Sequence, residues 1–99
     1  MAMRKSFIAK LVAKPERAAE LEALQRELRE LVHAHEPDCL IYELFKSADQ
    51  PNTYFCIGAF KSEAAFDHHM GIDFHDRLAP PILDCLAQEM ELSFHEALL

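Results

Sequence analysis

The sequence predicts an α+β fold of the ferredoxin-like type, in which two helices cover one face of a four-stranded antiparallel sheet. Three observations favour this class. The apolar period switches between two residues and about 3.6 residues along the chain. The resulting elements follow the order β-α-β-β-α-β. Turn-forming residues separate the second strand from the third. Residues 1–99 are expected to form one domain, because this length suits a single small core.

The first strand is predicted between Arg4 and Lys14, where apolar side chains alternate between two faces. Pro15 follows at a position that the first turn of a helix tolerates. From Glu16 the apolar period becomes helical, and the helix is expected to end before Pro37. Its apolar stripe comprises Leu21, Leu24, Leu28, Leu31, Val32 and His35.

The second and third strands are predicted over Cys39–Lys46 and Tyr54–Phe60, joined as a hairpin by the turn-rich segment Ser47–Thr53. Both strands carry apolar residues on both faces, whereas a sheet with one face in water normally has polar residues there. The helices cover only one face, so the other would present a large apolar patch. We therefore expect a homodimer in which two sheets pack face to face.

The second helix is predicted from a cap at Ser62, with Glu63 in its first turn and Gly71 at its end. On this helix His69 falls on the apolar side and His68 on the opposite side. An inward histidine must be paired, bound to a metal or directed at a cavity, because an unpaired buried polar group is costly. His69 is therefore the first candidate for a functional residue.

The C-terminal part of the chain is predicted to contain two short helical pieces and a last strand. The segment Asp73–Leu78 is expected to form a short helical turn. Pro80 and Pro81 would start a third short helix that reaches Leu86. The last strand is predicted over Glu89–His95, where apolar and polar residues alternate.

The composition argues against several classes of partner. Seventeen acidic residues against ten basic ones give a net charge of −7, which disfavours nucleic acids and anionic membrane surfaces. No apolar run reaches the roughly 18 residues of a membrane span, and the N-terminus lacks the apolar region of a signal peptide. Cys39, Cys56 and Cys85 form no C-x-x-C pair, so we expect reduced thiols in a cytoplasmic protein.

A metal site is an alternative for the histidines around the second helix. His68, His69, Asp73 and His75 lie within eight residues, and imidazole and carboxylate groups suit zinc or iron. However, neighbouring residues on a helix project about 100° apart, so His68 and His69 cannot both face one ion without distortion. No metal ligand is therefore expected.

Four segments of the chain resemble the antibiotic biosynthesis monooxygenase family of dimeric α+β barrels, which includes small bacterial quinol monooxygenases. They are Lys14-Pro15-Glu16 before the long helix, Glu36–Leu44, Phe60–Met70, and Asp73-Phe74 shortly afterwards. Together these segments extend the resemblance over nearly the whole chain. His69 matches the helix histidine of this family.

The resemblance implies a monooxygenase that needs neither metal nor flavin and acts on an electron-rich dihydroxy-aromatic substrate. Such a substrate must first lose a proton, yet a phenol of pKa about 10 is only about one part in a thousand anionic at pH 7. His69 is the candidate base or orienting residue. The candidate substrate-binding residues are Tyr42, Tyr54, Phe60, Phe66, Met70, Phe74, His75 and Arg77.

Two departures from the family pattern keep other functions open. Many members carry an acid and a tryptophan where this chain has Gly58 and Phe60. The asparagine and the haem-ligating histidine of the haem-degrading members would fall near Ile8 and Leu78, so neither is matched. The alternatives to a monooxygenase are a non-catalytic dimeric barrel that binds a small apolar molecule, and an isomerase or lyase that needs His69 but no oxygen.

Overall fold

The structure is a computed structural model that describes residues 4–98, and this part of the chain forms four strands and three helices. The strands are β1 (Lys5–Val12), β2 (Cys39–Lys46), β3 (Thr53–Phe60) and β4 (Glu91–His95). The helices are α1 (Ala18–His35), α2 (Glu63–Gly71) and α3 (Asp73–Asp84), and a short 3₁₀ turn at Pro15–Arg17 leads into α1.

The strands form one antiparallel sheet in the order β2-β3-β1-β4. The hairpin of β2 and β3 is present, with Phe45 opposite Phe55. In the turn between them, the Ser47 hydroxyl accepts the amide hydrogen of Gln50, and Asn52 adopts a positive φ of 57°. The predicted α+β, ferredoxin-like fold is therefore confirmed.

The core lies between the sheet and the helices. The face of β1 that carries Phe7, Ala9 and Leu11 is buried, as its alternation predicts. Against this face pack the buried residues of the helices, which are Leu21, Leu28 and Val32 of α1 and Phe74, Leu78 and Ile82 of α3. His35, which we placed on the apolar stripe of α1, is instead exposed at the end of that helix.

The opposite face of the sheet carries no helix between residues 4 and 98. Ile41 and Phe45 of β2 are 46% and 54% exposed on this open face. Ile8, Phe55 and Ile57 are partly exposed on the same face. This distribution agrees with the apolar pattern on both sides of the strands.

The second helix begins and ends as the sequence predicts. The side chain of Ser62 accepts the amide hydrogen of Ala65, which satisfies one of the free donors of the first turn. Gly71 is the last residue of the helix.

The prediction of two short helical pieces after Gly71 is wrong, because α3 is one continuous helix that contains Pro80 and Pro81. Two prolines inside a helix remove backbone donors, and each costs about 3 kcal/mol. Phe74, Leu78 and Ile82 are spaced four residues apart and are all buried. Burial of this stripe favours the continuous helix over the break that the prolines alone would suggest.

The ends of three strands differ slightly from the prediction: β1 is limited to Lys5–Val12, β3 begins at Thr53 and β4 begins at Glu91. All three cysteines are free; Cys56 and Cys85 are buried and Cys39 is partly exposed. Between residues 4 and 98, no helix combines the length and the apolar character that crossing a bilayer requires.

Candidate active site

A buried histidine–carboxylate pair lies between α2 and the end of α1. Nδ1 of His69 is 2.8 Å from Oε2 of Glu36, and the two side chains are only 2% and 3% exposed. A carboxylate accepts hydrogen bonds only, so Nδ1 is the protonated nitrogen when the imidazole is neutral. Nε2 then carries the lone pair and can accept a proton.

The backbone on either side of Glu36 holds this carboxylate in place. The Glu36 amide donates to the carbonyl of Val32 in the last turn of α1, and the Glu36 carbonyl accepts from the amide of Cys39, where β2 begins. The connection between α1 and β2 is therefore short, and backbone hydrogen bonds tie Glu36 to both elements. His69 is positioned by α2, whose first turn is fixed by the Ser62 cap. Two short, well-bonded segments thus bring these side chains together.

Three rings surround the imidazole of His69. The ring centroids of Phe60, Tyr42 and His75 lie 5.0, 5.5 and 4.6 Å from that of His69. Among the described residues, Nε2 has no hydrogen-bond partner, while His69 lines a partly open cavity. The free nitrogen is therefore the one available to a molecule bound there.

The cavity has a volume of about 240 Å³ and is lined mainly by apolar side chains. For comparison, an engineered protein cavity of about 150 Å³ binds benzene. Its lining residues are Phe7, Ala9, Leu11, Gln25, Leu28, Tyr42, Cys56, Phe66, His69, Met70, His75, Ala79, Ile82, Leu83, Met90 and Leu92. The space is adequate for one substituted aromatic ring.

Tyr42 places a phenol in the cavity wall. Burial, followed by the neighbouring Cys56 thiol, raises the pKa of Tyr42 well above 10. The phenol therefore remains protonated at neutral pH and can donate a hydrogen bond. Tyr42 is therefore a candidate donor to an oxygen atom of a molecule bound in the cavity.

His75 is the second imidazole of the cavity. Burial, and then the proximity of His69, lower the pKa of His75 below its usual 6.5, while Asp76 acts in the opposite direction. His75 is therefore mostly neutral at pH 7. Its ring adds a polar but uncharged group to a largely apolar wall.

The structure brings five of the nine candidate site residues together at the cavity. These five are Tyr42, Phe66, His69, Met70 and His75. Phe60 lies behind them, where it is fully buried and packs against Phe7 and Phe66 with ring separations of 6.3 and 5.6 Å. Of the two tyrosines that the sequence could not separate, Tyr42 is the one that faces the cavity.

Tyr54, Phe74 and Arg77 lie away from the cavity. The Tyr54 hydroxyl donates to Glu22 in a groove between α1 and β2. Phe74 and Arg77 line a groove near the end of α1, where Arg77 is ion-paired with Glu27 at 2.9 Å.

Glu36 is the residue that sequence reasoning missed. In the sequence it is the residue before the helix-ending Pro37 and the first residue of the family-like segment Glu36–Leu44, and neither place predicts a role in the site. Its partner His69 is 33 positions away, and helical or strand periodicity relates no residues at that distance.

Gly58 is opposite both Phe7 on β1 and Tyr42 on β2. A Cβ atom added at Gly58 would overlap with the ring of Phe7, which occupies the space above this glycine. The position where the resemblance led us to look for an acid is therefore filled by an aromatic ring. The carboxylate of this site comes from Glu36 instead.

Between residues 4 and 98, no group of three or more histidine, cysteine, aspartate and glutamate side chains is arranged to hold a metal ion.

Comparison with known proteins identifies the family. The family described as antibiotic biosynthesis monooxygenase matches residues 6–78, which is most of the chain. This chain belongs to that family. No curated protein matches the chain.

Solved structures support this membership. A protein from Caulobacter crescentus CB15, named as a candidate antibiotic biosynthesis monooxygenase, is 26% identical with a TM-score of 0.94, covering 99% of this chain and 92% of its own. Another structure, named an antibiotic biosynthesis monooxygenase, is 30% identical with a TM-score of 0.86, covering 96% and 99%. A conserved protein from Methanosarcina mazei Go1 shares the fold at 24% identity, with a TM-score of 0.88 and coverage of 95% and 92%.

Proposed function

We propose that this protein is a cofactor-independent monooxygenase that oxidises a quinol or a similar electron-rich aromatic molecule with O2. The observation that carries the proposal is the buried His69–Glu36 pair, whose imidazole opens onto an apolar cavity. Membership of the antibiotic biosynthesis monooxygenase family supports the oxygenase chemistry.

In the proposed mechanism, His69 removes the first proton. Nε2 accepts the proton of the substrate hydroxyl, and Glu36 stabilises the imidazolium through its hydrogen bond to Nδ1. Without this base, forming the anion of a phenol of pKa about 10 at pH 7 costs about 4 kcal/mol. The buried carboxylate also holds the ring so that Nε2 remains the basic nitrogen.

Tyr42 is proposed to donate to the resulting oxyanion. Its raised pKa keeps the phenol protonated, and a donor in a water-poor site stabilises an anion more strongly than it would in water. Phe66, Met70 and His75 are proposed to contact the ring of the substrate.

The reaction requires no added reductant, because the quinol itself supplies all four electrons. A 1,4-quinol and O2 give a hydroxyquinone and water: one oxygen atom enters the ring and the other leaves as water. The anion formed by His69 gives up its electrons to O2 more readily than the neutral quinol. The role of the protein is therefore to bind the substrate, remove its proton and stabilise its charge.

Oxygen uptake by the purified protein with a panel of quinols tests this proposal. His69→Ala is expected to lower the rate by a factor of about 10²–10⁴, the usual contribution of a positioned base. His68→Ala is the matched control, because this exposed neighbour lies on the outer side of α2. Uptake at the level of the protein-free blank across the panel would reject the oxygenase function.

The runner-up function is a dimeric barrel that binds a small apolar molecule without turnover. The observation that favours it is the ring of Phe7 above Gly58, where many family members carry an acid. Under this function, His69→Ala retains ligand affinity, and the wild-type protein consumes no oxygen.

We also propose that the protein acts as a homodimer joined through the open sheet face. Ile41 and Phe45 are exposed there beside the partly exposed Ile8, Phe55 and Ile57. Burial of such a patch is favourable by about 25 cal/mol for each Å² removed from water. We propose a cytoplasmic location as well, which the free thiols support.

Sedimentation velocity at micromolar concentration tests the dimer. The wild-type protein is expected to sediment as a dimer, and Phe45→Lys is expected to shift it toward the monomer. Gln88→Lys is the control for the added charge, since Gln88 is exposed outside the sheet and the change adds the same single positive charge. A wild-type monomer at these concentrations would contradict the proposal.

A further inference from the structure

The amide of Gln25 is a buried polar group that the proposed mechanism does not use. Gln25 lies on the inner side of α1 and is only 7% exposed. Two other buried polar residues, Glu36 and His69, bond to each other. Within residues 4–98, by contrast, Oε1 of Gln25 has no hydrogen-bond donor. Leaving such an acceptor unpaired costs about 1–3 kcal/mol, so a missing donor is expected.

Gln25 lines the same cavity as His69, and it also lines the groove between α1 and β2. Oε1 is closed to a water-sized molecule in this structure, so a donor in the cavity reaches it only when the amide turns toward that side. Two ion pairs between α1 and β2 show which part of the sheet lies beside Gln25. Arg29 bonds to Glu43, and Lys46 bonds to Glu22 one turn away on the other side of Gln25. Gln25 is therefore held at the level of the second half of β2, between residues 43 and 46.

His69 lies at a different level along the sheet. It packs on Phe60 and Tyr42, and Tyr42 is opposite Gly58 in the register of the sheet. Leu44, at the level of Gln25, is opposite Cys56, which precedes Gly58 by two residues of β3 and is therefore about 7 Å away along the sheet. The two residues therefore line the cavity at different levels along the sheet.

We propose that Gln25 is a specificity-determining residue that accepts a hydrogen bond from the second hydroxyl of an aromatic 1,4-diol. The first hydroxyl of the same ring faces Nε2 of His69. This inference rests on the proposed function, which supplies the class of substrate. It narrows that class, because a hydrogen bond to Gln25 favours diols over monophenols. A ligand with a single hydroxyl leaves either Gln25 or His69 without a partner.

A bound water is the competing explanation for the unpaired oxygen, and it leads to a different result. A water held by Gln25 would serve a diol and a monophenol equally, so the amide would not discriminate between them. If the substrate itself supplies the donor, the preference for the diol depends on Gln25.

Anaerobic calorimetry separates these outcomes and does not depend on turnover. Methylhydroquinone and its 4-methyl ether are titrated into wild-type protein, Gln25→Leu and Gln88→Leu. The wild-type protein is expected to prefer the diol by about tenfold, the effect of one neutral hydrogen bond. Gln25→Leu is expected to lose this preference to below about twofold. Gln88→Leu makes the same chemical change at an exposed site and is expected to retain the preference.

Urea unfolding confirms that the variant folds. Gln25→Leu is expected to be at least as stable as the wild type, because it removes an unpaired buried oxygen. The inference is overturned if Gln25→Leu keeps the preference, if the wild type has none, or if the wild type binds neither compound. Preferential binding that depends on Gln25, without oxygen uptake, would support this inference while rejecting the oxygenase function.

Discussion

Two histidine–glutamate pairs within residues 4–98 have opposite surroundings: one links α2 to the end of α1, and the other links α1 to β2. His69 and Glu36 are 2.8 Å apart and almost wholly buried. His33 and Glu43 are 3.4 Å apart with side chains 46% and 39% exposed. The same residue types are therefore placed in a water-poor interior and at a solvated surface.

The exposed pair has several partners, whereas the buried pair has one. Glu43 accepts two hydrogen bonds from Arg29, which lower the pKa of Glu43, and Nε2 of His33 donates to the carbonyl of Tyr42. Loss of one contact at this surface is compensated by the others and by water. His69 and Glu36 depend on each other, because their side chains are almost wholly buried and each is the hydrogen-bond partner of the other. We therefore expect unequal consequences when each pair is disrupted.

The largest effect on stability is expected for Glu36→Ala. This change leaves Nδ1 of His69 buried without an acceptor, which should lower the free energy of unfolding by about 3 kcal/mol. Urea denaturation measures the loss. Glu30→Ala removes the same charge from an exposed position of α1 and controls for the change in net charge.

The double variant Glu36→Leu, His69→Leu extends this test. Replacement of both partners of a buried pair by apolar residues is often close to neutral, so the double variant should lose less stability than Glu36→Leu alone. Additive losses would show that the two side chains contribute independently, contrary to the geometry of the pair.

A smaller effect, confined to acid, is expected for His75→Asn. Burial and His69 lower the pKa of His75 in the folded state below 6.5. As the pH falls from about 7 to 5, the unfolded chain takes up a proton at His75 that the folded chain does not, so stability is lost. His75→Asn should therefore show a shallower decline in thermal midpoint over this range. If the thermal midpoint of His75→Asn declines with pH as steeply as that of the wild type, His75 is more exposed to solvent than its contact with His69 implies.

The smallest effect is expected for His33→Ala. Exposed ion pairs contribute less than about 1 kcal/mol, and salt screens what they contribute. The free energy of unfolding from urea denaturation should change by no more than this amount. Repeating the measurement at high salt should reduce the difference further. A loss as large as that of Glu36→Ala would mean that burial is not what separates the two pairs.

Local patterns predicted much of the fold. The alternation in β1, the turn between β2 and β3, and the cap at Ser62 each depend on residues close together in the chain. The inward direction of His69 also followed from its place on one helix. These features are local, and the sequence encodes them directly.

Contacts between distant segments were not predictable in the same way. Glu36 meets His69 only because two separate connections fold over the same end of the sheet. Tyr42 and Tyr54 have equal aromatic character, and only the packing of α1 directs the second toward Glu22. The prolines of α3 predicted a break that the burial of a stripe of apolar residues overrides. In each case tertiary packing decides the outcome.

The ring of Phe7 above Gly58 has a consequence for how this site could have evolved. A side chain at position 58 and the present position of the Phe7 ring exclude each other. Placing an acid at 58 first would overpack the core by about 1–3 kcal/mol, and shrinking Phe7 first would open a cavity that costs about 3–5 kcal/mol. Either order passes through a less stable intermediate. A carboxylate at position 58 and the present packing of Phe7 are therefore separated by a stability barrier, even though the fold itself allows either.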